Sequence, residues 1–248
     1  MKQTFRIIAF VVGICCGTGA SADTLLVAVA TNFAGTLEEL GTAFFDATGH
    51  DLQITSASSG VHYAQITNGA PFDLFFSADV ERPRLLEEQS RIVAGSRFTY
   101  AVGRLALWSA DANRVDGEGA VLRTGNYARL AVADAEAAPY GLAAQQVLEK
   151  LGLTAAVQDK LITGTNIGQT FQFVASRAVP LGFIAYSQLR NPEANFGGSH
   201  WLVPSEMHDP IEQQAVILKD SSAAQQFVKF LTTQTARAIV ENYGYSVP

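Results

Sequence analysis

Cysteine and long apolar runs are scarce in this sequence. Its two cysteines, Cys15 and Cys16, both lie within the first 22 residues. The rest of the chain can therefore form no disulfide bond and carry out no thiol chemistry. The apolar run Ile7–Cys16 is too short to span a bilayer, and no later segment offers about 20 consecutive apolar residues. We therefore expect no membrane insertion.

Positive charge is also in short supply. The chain has 17 Lys and Arg residues against 23 Asp and Glu residues. Lys2 and Arg6 precede the first apolar run, so 15 basic residues and a net charge of −8 remain for the rest. Nucleic acid and anionic membranes are poor partners for such an acidic chain. Any bound anion must be held by local dipoles and not by the overall field.

The first 22 residues have the three-part layout of a cleaved secretory signal. Lys2 and Arg6 come first, the apolar run follows, and the small residues Ala20-Ser21-Ala22 end the segment. This layout predicts a signal peptide over residues 1–22 and a mature chain that begins at Asp23. The 226 residues that remain of the 248 are enough for one large domain or for two lobes.

Short apolar runs that are typical of buried strands alternate with helical patterns along the chain. The predicted strands are Thr24–Ala30, Asp51–Ala57, Phe72–Ser77, Ala101–Ser109, Leu130–Ala133, Leu181–Tyr186 and Gln214–Leu218. The alternation predicts an α/β chain with a largely parallel sheet. The polar, glycine-containing stretch 111–126 is predicted to be a surface loop.

Four predicted strand-to-helix junctions carry small polar side chains or a tyrosine. They are Ala30-Thr31-Asn32-Phe33, Ser58-Ser59-Gly60, Ala138-Pro139-Tyr140-Gly141 and Gly164-Thr165-Asn166-Ile167. Helix N-termini present unpaired N–H groups and the positive end of the helix dipole. Such a set suits a fully ionised dianion, whose oxygens accept hydrogen bonds and offer no proton. Each polar residue alone is equally typical of a helix cap, but open α/β sheets bind ligands at the carboxyl ends of their strands.

A secreted serine hydrolase is the alternative from a different class. Ser59 would be its nucleophile, because His62 follows at a spacing that shares a helix face and Asp73 lies beyond. The sequence has no G-x-S-x-G elbow, and its four histidines lack the spacing of metal ligands. We therefore rank the hydrolase below a binding protein.

Longer stretches in a fixed order carry a family resemblance. They are Val29–Phe33, Ala57–Gly60 followed by Tyr63–Pro71, Phe76–Asp79, Ala138–Ala143 and Val179–Ser187. Together they resemble the ModA family, the molybdate-binding proteins of bacterial ABC importers, over essentially the whole mature chain. The resemblance implies a two-lobed type II periplasmic binding protein of the α/β class, each lobe a central sheet flanked by helices. Residues 23–103 and 215–248 would form lobe 1, and residues 104–214 lobe 2, with the ligand cleft between them.

The same resemblance implies a function. The protein would bind molybdate, and tungstate as well, in the periplasm and deliver it to the permease subunits of an ABC transporter. We expect a monomer with no cofactor, no bare metal cation and no enzymatic activity. Carried across, the oxyanion ligands are Thr31, Asn32, Ser59, Tyr140 and Ile167, the last through its backbone N–H. Another tetrahedral oxyanion, such as sulfate, and a role in sensing rather than transport stay open.

Overall fold

The computed structural model describes residues 22–192 and 196–248, so the predicted signal peptide lies almost wholly outside the described residues. The strands are β1 (Thr24–Ala30), β2 (Asp51–Ala57), β3 (Leu74–Phe76), β4 (Phe98–Gly103), β5 (Leu105–Ser109), β6 (Leu130–Ala133), β7 (Leu161–Gly164), β8 (Gly182–Ala185), β9 (Ser199–Leu202) and β10 (Ile211–Ile217). The helices are α1 (Ala34–Thr48), α2 (Ser59–Thr67), α3 (Glu81–Glu88), α4 (Ala120–Thr124), α5 (Pro139–Lys150), α6 (Thr154–Val157), α7 (Ile167–Ala175), α8 (Tyr186–Leu189), α9 (Ser222–Leu231) and α10 (Gln234–Asn242). None of these helices is long and apolar enough to cross a bilayer.

The strands form two five-stranded sheets, each flanked by helices. The first has the order β2-β1-β3-β10-β4 and the second the order β7-β6-β8-β5-β9. In the first sheet β1 is parallel to β2 and β3, whereas β10 is antiparallel to β3 and β4. In the second, β6 is parallel to β7 and β8, whereas β5 is antiparallel to β8 and β9. The predicted two-lobed α/β fold is confirmed, and each of its sheets contains one reversed strand.

The reversed strands lie where the chain crosses between the lobes. β4 leaves the first sheet at Gly103 and β5 enters the second at Leu105, with Arg104 alone between them. The prediction of a single strand over Ala101–Ser109 is therefore wrong. The crossing is extended and both strands are buried, so no turn residue marks the break. The chain returns through β10, which pairs with β4 from Ile211 onward.

Each lobe has its own apolar core. In the first, Leu37, Leu40 and Phe44 of α1 are buried against the sheet, and Phe44 packs edge-on against Phe227 of α9 at 5.0 Å. Phe45, the next residue of α1, is 51 % exposed and lies outside this core. In the second, Leu105, Leu107, Leu130, Phe183 and Val147 are fully buried. Burying each large side chain stabilises the fold by about 1.5–3 kcal/mol.

Two further local features differ from the sequence-based expectations. The stretch 111–126, predicted to be a loop, contains the short helix α4. The strands β7 and β9 were not predicted, because each is only four residues long and is partly exposed.

Candidate functional site

The four polar strand-to-helix junctions meet where the two lobes touch. In the first lobe, the Thr31 N–H after β1 donates to the Ala57 carbonyl at the end of β2 (3.1 Å). In the second lobe, the Asp134 N–H after β6 donates to the Gly164 carbonyl at the end of β7 (2.9 Å). The two junctions of each lobe therefore lie side by side.

Two hydrogen bonds then join the lobes. The Gly168 N–H, in the first turn of α7, donates to Thr31 Oγ1 (3.2 Å). The Gly60 N–H, in the first turn of α2, donates to the Ala137 carbonyl just before α5 (3.1 Å). The junctions therefore form a closed ring of four, two from each lobe. The positive ends of α2, α5 and α7 lie on this ring, beside the turn that begins α1.

The two serines before and at the start of α2 are used differently. Ser58 is the N-cap, and its Oγ accepts from the Val61 N–H (3.4 Å). Ser59 is 1 % exposed, and its Oγ accepts from the Ala78 N–H (2.8 Å). Because Ala78 uses the hydroxyl as an acceptor, the Ser59 proton remains available for donation. Ser59 therefore suits a ligand that only accepts.

Tyr140 lies in the first turn of α5, where its side chain points beneath the ring. It is 1 % exposed, and its hydroxyl accepts from Gln213 Nε2 (3.1 Å). Burial raises the pKa of Tyr140 well above its ordinary value, so the hydroxyl stays protonated. With the hydroxyl occupied by Gln213, the first turn of α5 offers a ligand the Tyr140 backbone N–H, because Pro139 has none and the Gly141 N–H donates to the Ala138 carbonyl (2.8 Å).

Ile167 is the first residue of α7, and its side chain is buried. Asn166 caps this helix by accepting from the Gln169 N–H (2.8 Å). The Ile167 N–H lies at a position with no intrahelical partner, as the prediction requires. Gly168 is closely packed, because a Cβ there would lie 3.1 Å from Asn166 Oδ1 and 3.2 Å from Thr31 Cβ.

Asn32 is held by hydrogen bonds from buried residues that the sequence did not predict to lie near it. Its Nδ2 donates to Gln213 Oε1 (2.8 Å) and to the Tyr245 hydroxyl (3.0 Å). Its carbonyl accepts from the Tyr245 hydroxyl (2.7 Å) and from Ser187 Oγ (2.9 Å). Tyr100 adds a hydrogen bond from its hydroxyl to Gln213 Oε1 (2.9 Å). The five side chains form one buried network beneath the ring.

One signal in the sequence marks Gln213. It alternates with Ile211 and Ala215 at the buried positions of β10, where an apolar residue is expected. A glutamine in that phase predicts a buried hydrogen-bond partner. Because the predicted strand began only at Gln214, the alternation of Gln213 with Ile211 and Ala215 was not recognised.

Two buried side-chain oxygens at the end of the first lobe's strands are unpaired. Asn32 Oδ1 and Ser77 Oγ have no hydrogen-bond partner among the described residues. The nearby Arg82 is paired with Asp79 (2.5 Å) and also donates to the Glu136 carbonyl of the other lobe (2.7 Å). The positive charge of Arg82 is therefore already neutralised by Asp79.

The residues of the hydrolase alternative do not form a triad. Both ring nitrogens of His62 are occupied, Nε2 by the Val29 carbonyl and Nδ1 by Gln65, each at 3.0 Å. Burial lowers the pKa of His62, which keeps the ring neutral. Asp73 instead accepts from the Leu26 N–H (2.7 Å). Neither His62 nor Asp73 is therefore placed to act as a general base for Ser59.

The chain is similar in sequence to known proteins over most of its length. The family model for bacterial extracellular solute-binding proteins matches residues 25–246. The molybdate-binding protein ModA of Rhodobacter capsulatus is 46 % identical over 229 residues, which cover 91 % of this chain and 89 % of that protein. The chain belongs to the ModA family of bacterial extracellular solute-binding proteins.

Solved structures of other binding proteins superpose on this chain over most of its length. The periplasmic molybdate-binding protein of Azotobacter vinelandii superposes with a TM-score of 0.86 at 44 % identity, covering 90 % of this chain and 99 % of that one. The sulfate-binding protein SubI of Mycobacterium tuberculosis superposes with a TM-score of 0.73 at 11 % identity, covering 91 % of this chain and 87 % of that one. At that identity SubI shares the fold alone with the ModA family.

Proposed function

We propose that this protein binds molybdate or tungstate in the periplasm and delivers it to the permease subunits of an ABC transporter. The observation that carries the proposal is the ring of four junctions, which brings helix N-termini from both lobes to one place. Membership of the ModA family supports the choice of anion. In this reading the protein acts as a monomer without a cofactor, and it is a carrier and not an enzyme.

The proposed ligands are Thr31, Asn32, Ser59, Tyr140 and Ile167. They offer hydroxyl, amide and backbone N–H donors, and a tetrahedral dianion can accept from all of them. Each charge-assisted hydrogen bond contributes about 1.5–3 kcal/mol, so several together account for submicromolar binding. No lysine or arginine is needed.

The donor set also discriminates among anions. Phosphate carries a proton at neutral pH, and a site made only of donors offers that proton no acceptor. Sulfate is smaller than molybdate, so a ring set for the larger anion leaves some donors beyond hydrogen-bond distance. Molybdate and tungstate are nearly equal in size and charge, and both fit.

Binding is coupled to closure of the lobes. Thr31, Asn32 and Ser59 belong to the first lobe, whereas Tyr140 and Ile167 belong to the second. An anion has its full set of donors only when the lobes are closed, so it stabilises that state by its differential affinity. Release then requires the transporter to separate the lobes.

Isothermal titration calorimetry of the mature protein, purified free of oxyanions, tests the proposal. We expect one-site binding of molybdate and tungstate at submicromolar dissociation constants, with sulfate and phosphate far weaker. If none of the four anions gave a binding signal, the proposal would be refuted. If sulfate bound more tightly than molybdate, the site would be assigned to sulfate instead. If the protein hydrolysed esters and the Ser59→Ala variant did not, the serine hydrolase alternative would be supported.

A further inference from the structure

The side-chain amides of Asn32 and Gln213 face each other beneath the ring. Asn32 Nδ2 directs its two hydrogens to Gln213 Oε1 (2.8 Å) and the Tyr245 hydroxyl (3.0 Å). Asn32 Oδ1 therefore points away from both, buried and without a partner among the described residues. A buried acceptor without a donor is costly. It would also repel an oxyanion, whose oxygens are themselves acceptors.

A half-turn of both amides gives a network in which Asn32 Oδ1 and the whole Gln213 amide are paired. The amide nitrogen and oxygen exchange places, and the distances around Gln213 stay the same. Gln213 Nε2 would donate to Asn32 Oδ1 and to the Tyr100 hydroxyl, whose own proton goes to the Ser77 carbonyl (3.1 Å). The Tyr140 hydroxyl would donate to Gln213 Oε1 across the existing 3.1 Å contact.

Tyr245 has to adjust to the same change. Ser187 Oγ donates to the Asn32 carbonyl (2.9 Å), so Tyr245 can redirect its proton from that carbonyl to Asn32 Oδ1, 3.0 Å away. Its oxygen then has to move away from the Asn32 carbonyl and from Ser187 Oγ, which lie 2.7 and 2.9 Å from it. Both hydrogens of Asn32 Nδ2 are then released from the network. They point to the side on which Oδ1 lies unpaired.

We propose that Gln213 is a positioning residue for the anion: in the anion-bound protein both amides are turned, and Asn32 donates its side-chain N–H groups to the oxyanion. This inference rests on the proposed function, because it concerns the same site. Gln213 touches no ligand itself. It sets the direction of the Asn32 amide by offering a donor to Asn32 and an acceptor to Tyr140.

The backbone around Gln213 is shaped for this contact. The β10–β4 register shifts between Gln213 and Gln214. Gly103 of β4 pairs with Ile211, two residues before Gln213, and a Cβ at Gly103 would be 2.2 Å from the Tyr140 hydroxyl and 2.5 Å from Gln213 Nε2. The chain therefore has its smallest residue where the Tyr140–Gln213 pair comes closest to the backbone. A larger residue there would force the pair apart.

The substitution Gln213→Glu tests the polarity of the network. At pH 8 the new carboxylate only accepts, so it holds Asn32 Nδ2 and turns Oδ1 toward the anion. We expect molybdate affinity, measured by calorimetry, to fall about 100-fold or more. As the pH is lowered, a protonated carboxyl both donates and accepts as the turned amide does, and affinity should recover toward that of the unsubstituted protein. Burial brings that protonation closer to neutral pH.

Gln214→Glu is the matched control. Gln214 is the next residue of β10, and its side chain bonds to Thr99 and Arg97 instead (3.1 and 2.9 Å). We expect its affinity to stay within about threefold of the unsubstituted protein at every pH. Unchanged binding by Gln213→Glu at pH 8, or a loss that no change of pH relieves, would overturn the inference.

Neutron diffraction from deuterium-exchanged crystals of the molybdate complex provides a test that depends on no variant. It locates the amide deuterons directly. The inference requires the two Asn32 deuterons to face the anion and a Gln213 deuteron to face Asn32, and the reverse arrangement would refute it. If the unsubstituted protein bound neither molybdate nor tungstate, the proposed function itself would fail.

Discussion

At the scale of single side chains, adjacent serines perform separable tasks. Ser58 satisfies a backbone N–H of its own helix, whereas Ser59 reaches the Ala78 N–H of another segment and keeps its proton for donation. Both are buried, and they differ only in what their hydroxyls contact. A pair of alanine substitutions can therefore separate helix capping from anion binding.

Ser59→Ala should weaken molybdate binding by roughly 10- to 100-fold, because one charge-assisted hydrogen bond is lost. Ser58→Ala should instead lower the free energy of unfolding by about 1 kcal/mol through loss of the cap, with little change in affinity. Calorimetry and urea denaturation of both variants check this. Equal losses of affinity in the two variants would contradict the division of tasks.

His62 should make stability depend on pH. Burial lowers its pKa from 6.5 in the folded protein. Below about pH 6.5 the histidine is therefore protonated in the unfolded chain but still neutral in the folded protein. The free energy of unfolding then falls by up to about 1.4 kcal/mol per pH unit, until the pH reaches the pKa of His62 in the folded protein. Above pH 6.5 this contribution is constant.

Urea denaturation between pH 7.5 and pH 5 measures that slope. His62→Gln should reduce it, whereas His200→Gln, at an exposed position on β9, should leave it in place. Identical slopes in the unsubstituted protein and in His62→Gln would show that another group is responsible.

The residues of the ring were predictable only in part. Thr31, Asn32 and Ser59 follow predicted strands directly, so local sequence is enough to nominate them. The partners that hold Asn32 are 181 residues away at Gln213 and 213 residues away at Tyr245. No local pattern connects such positions. The direction of the Tyr140 side chain was unpredictable for the same reason.

At the scale of elements, the helix N-termini create both the site and the contact between the lobes. Gly60 lies in the first turn of α2, where a Cβ would be 3.1 Å from Ala137 Cα of the other lobe. That separation is tighter than side chains normally adopt, so a larger residue must hold the lobes slightly apart. The helix itself has no need of glycine there, since Gly60 shows no left-handed backbone conformation.

Gly60→Ala should therefore change stability and affinity in opposite directions. Helix propensity favours alanine by up to about 1 kcal/mol, so the free energy of unfolding should hold or rise. Molybdate affinity should fall about tenfold, because closure now meets overpacking. Gly35→Ala in α1 is the control, since its Cβ would meet only ordinary contacts at 3.5 Å and beyond. A Gly60→Ala variant that binds like the Gly35→Ala variant would contradict the account.

Among the strands, predictability followed continuity more than burial. β1, β2 and β6 begin and end as predicted, although no residue of β2 is buried as the sequence had suggested. β4 and β5 were merged because the chain stays extended and apolar on both sides of Arg104. The reversal of β5 and β10 depends on the path between the lobes, which no single strand's sequence encodes.

At the scale of the whole molecule, the two lobes are joined by hydrogen bonds from several elements. The bonds of Gly60 and Gly168, the Arg82 bond to Glu136 and the Ser187 bond to Asn32 all cross the same boundary. A ligand that bridges this boundary stabilises both lobes together. Ligand binding should therefore appear as thermal stabilisation of the entire chain.

Molybdate at 100 times its dissociation constant should stabilise the folded protein by about 2.7 kcal/mol. For a chain of this size that corresponds to a rise of roughly 5–10 °C in Tm. Differential scanning calorimetry with molybdate, and with sulfate at the same concentration as the control, measures the difference. An equal rise with sulfate would indicate nonspecific stabilisation by the salt.

The position of Tyr245 in the network has a consequence for the order in which the protein is made. Ribosomes add residue 32 long before residue 245, yet the Tyr245 hydroxyl contacts both the amide and the carbonyl of Asn32. A nascent chain can fold its first strands and helices while the support of Asn32 is still missing. A chain that ends before Tyr245 therefore lacks two of the hydrogen bonds that hold Asn32.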